Sequence, residues 1–280
     1  MSETAVALAL LAALMWGSSN YFGALCARAV GARQATFGTH VVNLVFILPV
    51  AFIVTGTLTA SGSAWGAAGA LACVVGFLSM FKAYGLLKMA IVSKLIAGGA
   101  ILVPFIAGIL LGERPGAAAV SGVAMILASM ILLSTPSADA EEKHANRRGL
   151  QFALLGGVGF GASNVFFGQT SSADGAFPLL AFRVVSLVIM VAIVAAHRES
   201  FSIPRVHWRN FAVMGLASGI GDVAFLLALH KGALSLVPAI ANLHPGATAI
   251  AAFLFMHERL RRPQLVGLLI GLCGVVVMKL

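Results

Sequence analysis

Long apolar runs, broken by short polar or glycine-rich connections, fill most of the 280-residue chain. Each run is close to the roughly 20 residues that a helix needs to cross the hydrocarbon core of a bilayer. The runs are apolar on every side rather than alternating, which excludes a membrane barrel. The pattern therefore predicts an all-α polytopic membrane protein with ten transmembrane helices. The predicted spans are 5–26, 36–55, 65–87, 91–111, 117–135, 149–169, 177–196, 209–229, 233–256 and 264–279.

One polar stretch interrupts this pattern at the midpoint of the chain, from Ser134 to Arg148. It carries acidic and basic residues in quick succession, which is typical of a solvated linker. We therefore expect two halves of five helices each, residues 1–135 and 149–280, joined by a polar linker at 136–148.

The two halves repeat each other in sequence. The segment WGSSNYF at 16–22 matches FGASNVF at 160–166, and HVVNLV from residue 40 matches RVVSLV from residue 183. Because these matches lie 144 and 143 positions apart and keep their order, they indicate an internal duplication. An odd number of helices per half places the two copies in opposite orientations. Inverted repeats are typical of secondary transporters, which bind substrate between the repeats.

Composition narrows the class further. The chain is 60% hydrophobic and 10% charged, whereas a soluble domain is about 25% charged. This excludes a soluble enzyme, a nucleic-acid-binding module and a disordered chain. The net charge of +9 then reflects basic residues in short connections, so nucleic acid is not an expected partner. Cys26, Cys73 and Cys273 have unrelated spacings in apolar segments, which favours packing roles, and we expect no metal and no other cofactor.

Lys and Arg are distributed unevenly between the two sets of connections. Twelve lie in the connections that follow spans 1, 3, 5, 7 and 9, and three lie on the opposite side. Because positive residues mark cytoplasmic connections, both termini are predicted to lie outside the cytoplasm. The predicted location of the protein is a bacterial inner membrane. The opening Met1-Ser2-Glu3 lacks the basic segment of a cleaved signal peptide, so the first run is expected to remain as a span.

The second half carries a sequence pattern that resembles a known family. From Ala228 it reads ALHKGALSLVPAIANLHPG, followed by Glu258-Arg259 and Gly267, and the first half opens with Trp16-Gly17. These pieces are similar to the drug/metabolite transporter superfamily, in its ten-helix EamA-type branch. The resemblance implies a five-plus-five inverted-repeat fold and a central cavity lined by helices 1–4 and 6–9. It also implies alternating access, with the fifth helix of each half as scaffold.

Ionisable residues inside the membrane are costly and are therefore candidate site residues. Asp222 lies near the middle of span 8 and is interpreted either as a cation or proton site or as a structural partner of Arg183. His40 and Asn43 lie three residues apart on one face of span 2, as do Arg183 and Ser186 in span 7. The Arg183 guanidinium suits a substrate carboxylate, although its place near the start of span 7 also fits a side chain that reaches the surface.

The other candidates are polar or aromatic residues within predicted spans. Each has a packing interpretation beside the binding one: Asn20 and Asn164 as interhelical hydrogen-bonding residues, and Trp16 as a packing aromatic. In span 9, Pro238 and Pro245 free backbone carbonyls, which suits the lining of a polar cavity. The predicted substrate-binding set is Trp16, Asn20, His40, Asn43, Lys82, Asn164, Arg183, Asn242 and His244, with Asp222 as the coupling site.

These residues lead to one preferred function and several alternatives. The chain is predicted to be a secondary transporter, not an enzyme, that exports amino acids or related organic acids by alternating access. Its expected partners are the substrate, the lipid bilayer and protons, and a monomer is sufficient. The alternatives are a cationic drug exporter that uses Asp222, an exchanger of anionic or phosphorylated metabolites, and an intramembrane enzyme. The last would need paired catalytic groups at one depth, whereas the polar residues are scattered singly.

Overall fold

A computed structural model describes residues 1–87, 89–133, 147–198, 207–256 and 262–279. Within these ranges the chain is helical and contains no β-strand, as the all-α prediction requires. The helices are α1 Glu3–Val30, α2 Ala32–Ile53, α3 Ala60–Leu86, α4 Met89–Leu110, α5 Ala117–Leu133, α6 Arg147–Gly168, α7 Phe177–Ala196, α8 Trp208–Leu229, α9 Val237–Ala241, α10 His244–Met256 and α11 Arg262–Val277, with a short 3-10 helix at Ser172–Asp174.

Seven of these helices, α1 to α4 and α6 to α8, are long and apolar enough to cross a membrane. The helices α5 and α11 are apolar but shorter. The first helix extends beyond its predicted apolar run at both ends because it is capped there. The Ser2 side chain accepts a hydrogen bond from the Ala5 N–H, and Gly31, with a φ of 88°, ends the helix.

The ninth apolar run was predicted as one helix over 233–256, and that prediction is wrong. The run begins its helix at Val237 and breaks after Ala241, so that it forms α9 and α10. Pro245 follows the break and has no N–H with which to continue the hydrogen-bond ladder. Asn242 lies at the break, and its Nδ2 donates to the Pro238 carbonyl at 2.8 Å. The side chain thus hydrogen-bonds a carbonyl beside the break.

The two halves pack on each other through reciprocal contacts between equivalent helices. The first helix of one half, α1, packs on α8, and its counterpart α6 packs on α3. The pairs α2 with α7 and α5 with α11 contact each other across the same relationship. Each half therefore covers its own faces with helices of the other half. Most of the predicted linker and the Glu258-Arg259 pair lie outside the described residues.

One end of the bundle brings together both termini and the connection between α8 and α9. Lys279 Nζ donates to Glu3 Oε1 at 3.2 Å, and the Ser2 hydroxyl donates to the Lys231 carbonyl at 3.1 Å. At the same end, the Glu113 carboxylate accepts the backbone N–H groups of Leu234 and Ser235 at 2.7 and 2.9 Å. Residues of the first half therefore contact the second half repeatedly at this end.

Asp174 makes a further contact between the halves at this end. It is 5% exposed and accepts the Thr59 hydroxyl at 2.6 Å and the Ser171 N–H at 2.8 Å. Nearby, Thr170 Oγ1 lies 3.0 Å from His230 Nε2. Burial lowers the pKa of His230 below its ordinary value of 6.5, while the Asp174 charge acts in the opposite direction.

Candidate functional site

The approach of α8 to α1 and α2 places Asp222 in the bundle interior. Gly215 lies against Val42, and Gly221 lies against the Trp16 indole, where an added Cβ would stand 2.6 Å from Cδ1. Only glycine leaves room for this contact. Asp222 follows Gly221 directly and is 9% exposed. The glycines in the middle of α8 therefore explain how its carboxylate comes close to three neighbouring helices.

Three side chains donate hydrogen bonds to the Asp222 carboxylate. Trp16 Nε1 of α1 donates to Oδ1 at 3.0 Å, and Asn43 Nδ2 of α2 donates to Oδ2 at 3.2 Å. Arg183 of α7 forms an ion pair with Oδ2 through NH2. The donors come from both halves of the chain, so the carboxylate lies where the halves meet. We call Trp16, His40, Asn43, Arg183 and Asp222 the Asp222 cluster.

Arg183 is held within the cluster rather than reaching the surface. It is 6% exposed, and its NH1 lies 3.3 Å from His40 Nδ1. Arginine has only donors, so the His40 Nδ1 atom must accept this bond and the imidazole is in its neutral form. The ion pair is therefore the only formal charge pair in the cluster, and its net charge is zero.

Two atoms of the cluster have no hydrogen-bond partner among the described residues. They are Arg183 Nε, a donor, and Asn43 Oδ1, an acceptor. An unsatisfied buried polar atom costs about 1–3 kcal/mol, so such atoms call for an explanation. An unsatisfied donor and an unsatisfied acceptor beside one ion pair are suited to a ligand that carries an acceptor and a donor of its own.

A second polar contact adjoins the cluster through Trp16. Asn20 Nδ2 of α1 lies 3.2 Å from His244 Nδ1 of α10. The Trp16 ring meets the His244 ring edge-on, with centroids 6.4 Å apart. Close contact of α1 with α10 depends on Gly17, since an added Cβ would lie 2.7 Å from the His244 carbonyl oxygen. Trp16 thus contacts both Asp222 and His244.

Three predicted site residues lie apart from these contacts. Lys82 is exposed, and its Nζ stands 5.3 Å from the centroid of the Phe152 ring. Asn164 Nδ2 donates to the Ala100 carbonyl at 3.3 Å, and Asn242 bonds the Pro238 carbonyl within its own broken helix. The structure therefore brings together seven of the ten predicted residues, five in the Asp222 cluster and Asn20 with His244 beside it.

Two acidic residues have more specific contacts than the sequence suggests. Glu113 lies just beyond the end of α4, and its carboxylate accepts two backbone N–H groups from the other half. Asp174 was not a candidate, although the Ser171-x-x-Asp174 spacing is a recognisable capping box. Its bond to Thr59 joins segments more than 100 residues apart, and no local signal predicts that.

Comparison with known proteins agrees with a duplicated chain. The sequence model of the EamA-like transporter family matches residues 3–135 and matches again over 147–280. An uncharacterized protein of Methanocaldococcus jannaschii is 20% identical over 127 residues, which are 45% of this chain and 93% of that protein. That relative therefore has about the length of one half.

The fold is also known from a solved structure. The alignment with the crystal structure of another protein covers 99% of this chain and 96% of that protein's chain, with a TM-score of 0.79 and 16% sequence identity. At this identity the likeness concerns the fold alone. The helices of both halves thus follow an arrangement that another protein shares along nearly its whole length.

Proposed function

This chain belongs to the EamA-like transporter family, and on that premise we propose that it is a secondary transporter which moves a small metabolite by alternating access. The observation that carries the proposal is the Asp222 cluster. It holds a buried ion pair between the halves, and beside it lie one donor and one acceptor that have no partner in the described part of the chain. Inverted-repeat transporters bind their substrates at such a junction between repeats.

We propose ten spans in two inverted halves. The helices α1 to α8 would be the first eight, α9 with α10 the ninth, and α11 the tenth. The exchanged pairing of α1 with α8 and of α6 with α3 supports this, because a two-fold relationship between halves produces such reciprocal contacts. The meeting of Glu3 and Lys279 at one end also supports it, since an even number of crossings returns the chain to its starting side.

We propose that the substrate carries a carboxylate, and that amino acids or related organic acids are exported. Arg183 supports a carboxylate because its planar guanidinium binds that group through two parallel N–H bonds. Asn43 Oδ1 supports an ammonium group in the same ligand, since it is an unsatisfied buried acceptor. Trp16 and His244 offer aromatic surface beside these groups.

The alternatives receive less support from the cluster. A cationic drug would need Asp222 as its counter-ion, but Arg183 already holds that carboxylate. A phosphorylated metabolite needs several convergent basic groups, whereas Arg183 is the one permanent cation in the cluster. Membership of a transporter family favours transport over an intramembrane enzyme.

The proposed location is a bacterial inner membrane with both termini outside the cytoplasm. The distribution of Lys and Arg supports this orientation, because twelve of them fall in one set of connections and three on the opposite side. Reporter fusions to the C-terminus test it. If a C-terminal reporter of a type that works only in the cytoplasm is active, the orientation is the reverse of the proposed one.

Flux measurements in proteoliposomes test the function. Purified protein is reconstituted with a panel of labelled amino acids and 2-hydroxy acids, and uptake is compared with that of the Arg183→Ala variant. The Glu3→Gln variant is the matched control, because it removes an exposed ion pair at the chain ends. We expect flux of at least one panel member in the wild type and the control and background flux in Arg183→Ala. Absence of flux for every panel member would remove the proposal.

A further inference from the structure

The Arg183–Asp222 pair is arranged so that a second carboxylate can compete for the guanidinium. Asp222 contacts NH2 alone, and the adjacent Nε has no partner among the described residues. Nε and NH2 form one edge of the planar guanidinium, where a carboxylate can accept two parallel N–H bonds. A carboxylate that took both bonds would displace Asp222 from NH2.

Charge neutrality decides what must accompany that displacement. An uncompensated charge in a low-dielectric interior is strongly unfavourable even after relaxation. The cluster by itself is neutral because the charges of Arg183 and Asp222 cancel. A bound carboxylate that takes Arg183 leaves Asp222 as an unpaired anion, with only the neutral Trp16 and Asn43 donors. With a carboxylate bound to Arg183, the cluster is neutral again only if a second positive charge balances the Asp222 carboxylate.

We propose that Arg183 and Asp222 form an exchangeable ion pair that keeps the transported unit electroneutral. The substrate carboxylate takes Arg183, and Asp222 is neutralised by the ammonium group of the same substrate or, where the substrate has none, by one proton. A zwitterion then moves without a proton, and a monocarboxylate moves together with one proton. This inference rests on the proposed function, and it assigns the stoichiometry to two named side chains.

Asp222 is the group that takes the proton. From α2, His40 faces Arg183 and accepts its N–H, so a proton on His40 would place two cations in contact. From α3, Cys73 lies within electrostatic range of both charges, and it is an acid whose neutral form adds no charge. From α10, His244 reaches the carboxylate only through Trp16.

The proton enters from the aqueous side that supplies the substrate and forms an O–H bond on the Asp222 carboxylate. That bond breaks when Arg183 returns to Asp222, and the proton leaves with the substrate.

The test uses labelled L-serine and its 2-hydroxy analogue glycerate, which share a carbon skeleton but differ in net charge. In wild-type proteoliposomes with the outside one pH unit more acidic, glycerate should accumulate about tenfold, because one proton travels with each anion. Serine should not accumulate. A potassium diffusion potential of either sign should change neither distribution.

The Asp222→Asn variant sharpens the test, because its amide is permanently neutral. We expect this variant to exchange labelled for unlabelled glycerate at a pH-independent rate and to lose acid-driven accumulation. It should also lose serine flux, because the ammonium has no carboxylate to bind. The wild-type measurements decide the inference even if this variant fails to fold.

The outcomes separate the inference from the function. Glycerate accumulation that follows the membrane potential, serine accumulation that follows the pH gradient, or glycerate flux that ignores pH would overturn electroneutral exchange while leaving a transporter. Absence of flux for both compounds under every gradient would overturn this inference, whereas absence of flux for every member of the wider panel of amino acids and 2-hydroxy acids would also contradict the proposed function.

Discussion

Two equivalent contacts between the halves differ in chemistry. Where α1 meets α8, Trp16 lies against Gly221 and donates a hydrogen bond to Asp222. Where α6 meets α3, Phe160 takes the place of Trp16, lies against Gly76 and meets the Phe77 ring edge-on at 4.8 Å. Duplication has preserved an aromatic residue against a glycine at both contacts. The polar chemistry is present at only one of them.

The next turn of each helix repeats the contrast. Asn20 of α1 bonds the His244 side chain of α10, whereas the equivalent Asn164 of α6 bonds the Ala100 carbonyl of α4. A backbone carbonyl is a permanent part of a helix, while an imidazole side chain can rotate and titrate. One contact therefore has the properties of a structural joint, and the other those of a site that can exchange partners.

Removal of Asp222 should have the largest effect on the polar contact. Asp222→Ala leaves Arg183 buried without a counter-ion, which is expected to lower the free energy of unfolding by about 3–5 kcal/mol. The double variant Arg183→Met with Asp222→Leu removes both charges and should recover most of this loss without recovering transport. Chemical unfolding in detergent measures the first effect and proteoliposome flux the second. A double variant as unstable as Asp222→Ala would mean that the charge pair is not the cause.

Exchange of the aromatic residues tests the same contrast with a smaller change. Trp16→Phe removes one hydrogen bond to a charged group, and we expect a loss of about 1.5–3 kcal/mol in unfolding free energy together with impaired flux. Phe160→Trp is the reciprocal change at the apolar contact and should leave flux per folded molecule near the wild-type value. Equal losses of flux in the two variants would show that the contacts are functionally alike.

The glycines at the helix crossings should be equally important for packing but not for transport. An added Cβ at Gly17 would lie 2.7 Å from the His244 carbonyl oxygen, and one at Gly161 would lie 2.6 Å from the Gly99 carbonyl oxygen. Overpacking of this kind costs about 1–3 kcal/mol, so Gly17→Ala and Gly161→Ala should be similarly destabilised. Only Gly17→Ala, which displaces α10 beside Trp16, should reduce flux per folded molecule. The reverse order of effects would place the site at the other crossing.

The asparagine pair should give a smaller difference. Asn164→Ala removes a bond to a backbone carbonyl and is expected to cost about 0.5–1.5 kcal/mol in stability, with flux retained. Asn20→Ala removes the hydrogen-bond partner of His244. Because Asn20 is an exposed residue, this variant should alter substrate affinity more than stability. Concentration dependence of flux separates the two. An affinity change in Asn164→Ala of the same size would contradict the assignment.

A pH effect on stability outside the cluster should be the smallest. Because burial lowers the pKa of His230, the unfolded chain binds this proton more readily than the folded chain. The contribution of His230 to stability is full above 6.5 and falls as the pH drops from there towards the lowered pKa. His230→Gln should flatten the decline of unfolding free energy between pH 7 and about 5. An unchanged slope would assign the decline to other groups.

Sequence reasoning located most of the helices and several members of the site, but not their pairing. Apolar runs predict the helices because a segment in lipid must hydrogen-bond its own backbone groups, and a helix does so. The duplication predicts which helices of the two halves correspond. An Arg183 partner for Asp222 was one of two interpretations that the sequence left open. The bonds from Trp16 and Asn43 depend on how α8 is rotated about its axis, which glycine contacts with two other helices determine. Lys82 was a reasonable candidate by depth, and it is exposed because of how α3 is rotated about its own axis, which the apolar pattern does not predict.

The meeting of Glu3 with Lys279 has a consequence for the order of the halves. Since Glu3 and Lys279 lie side by side, a short peptide could join these two positions and close the chain into a circle. The covalent link between residues 133 and 147 would then no longer be needed to keep the halves together, because their contacts are carried by helices that each half lends to the other. The halves should therefore assemble in either order along a chain, or as two separate chains.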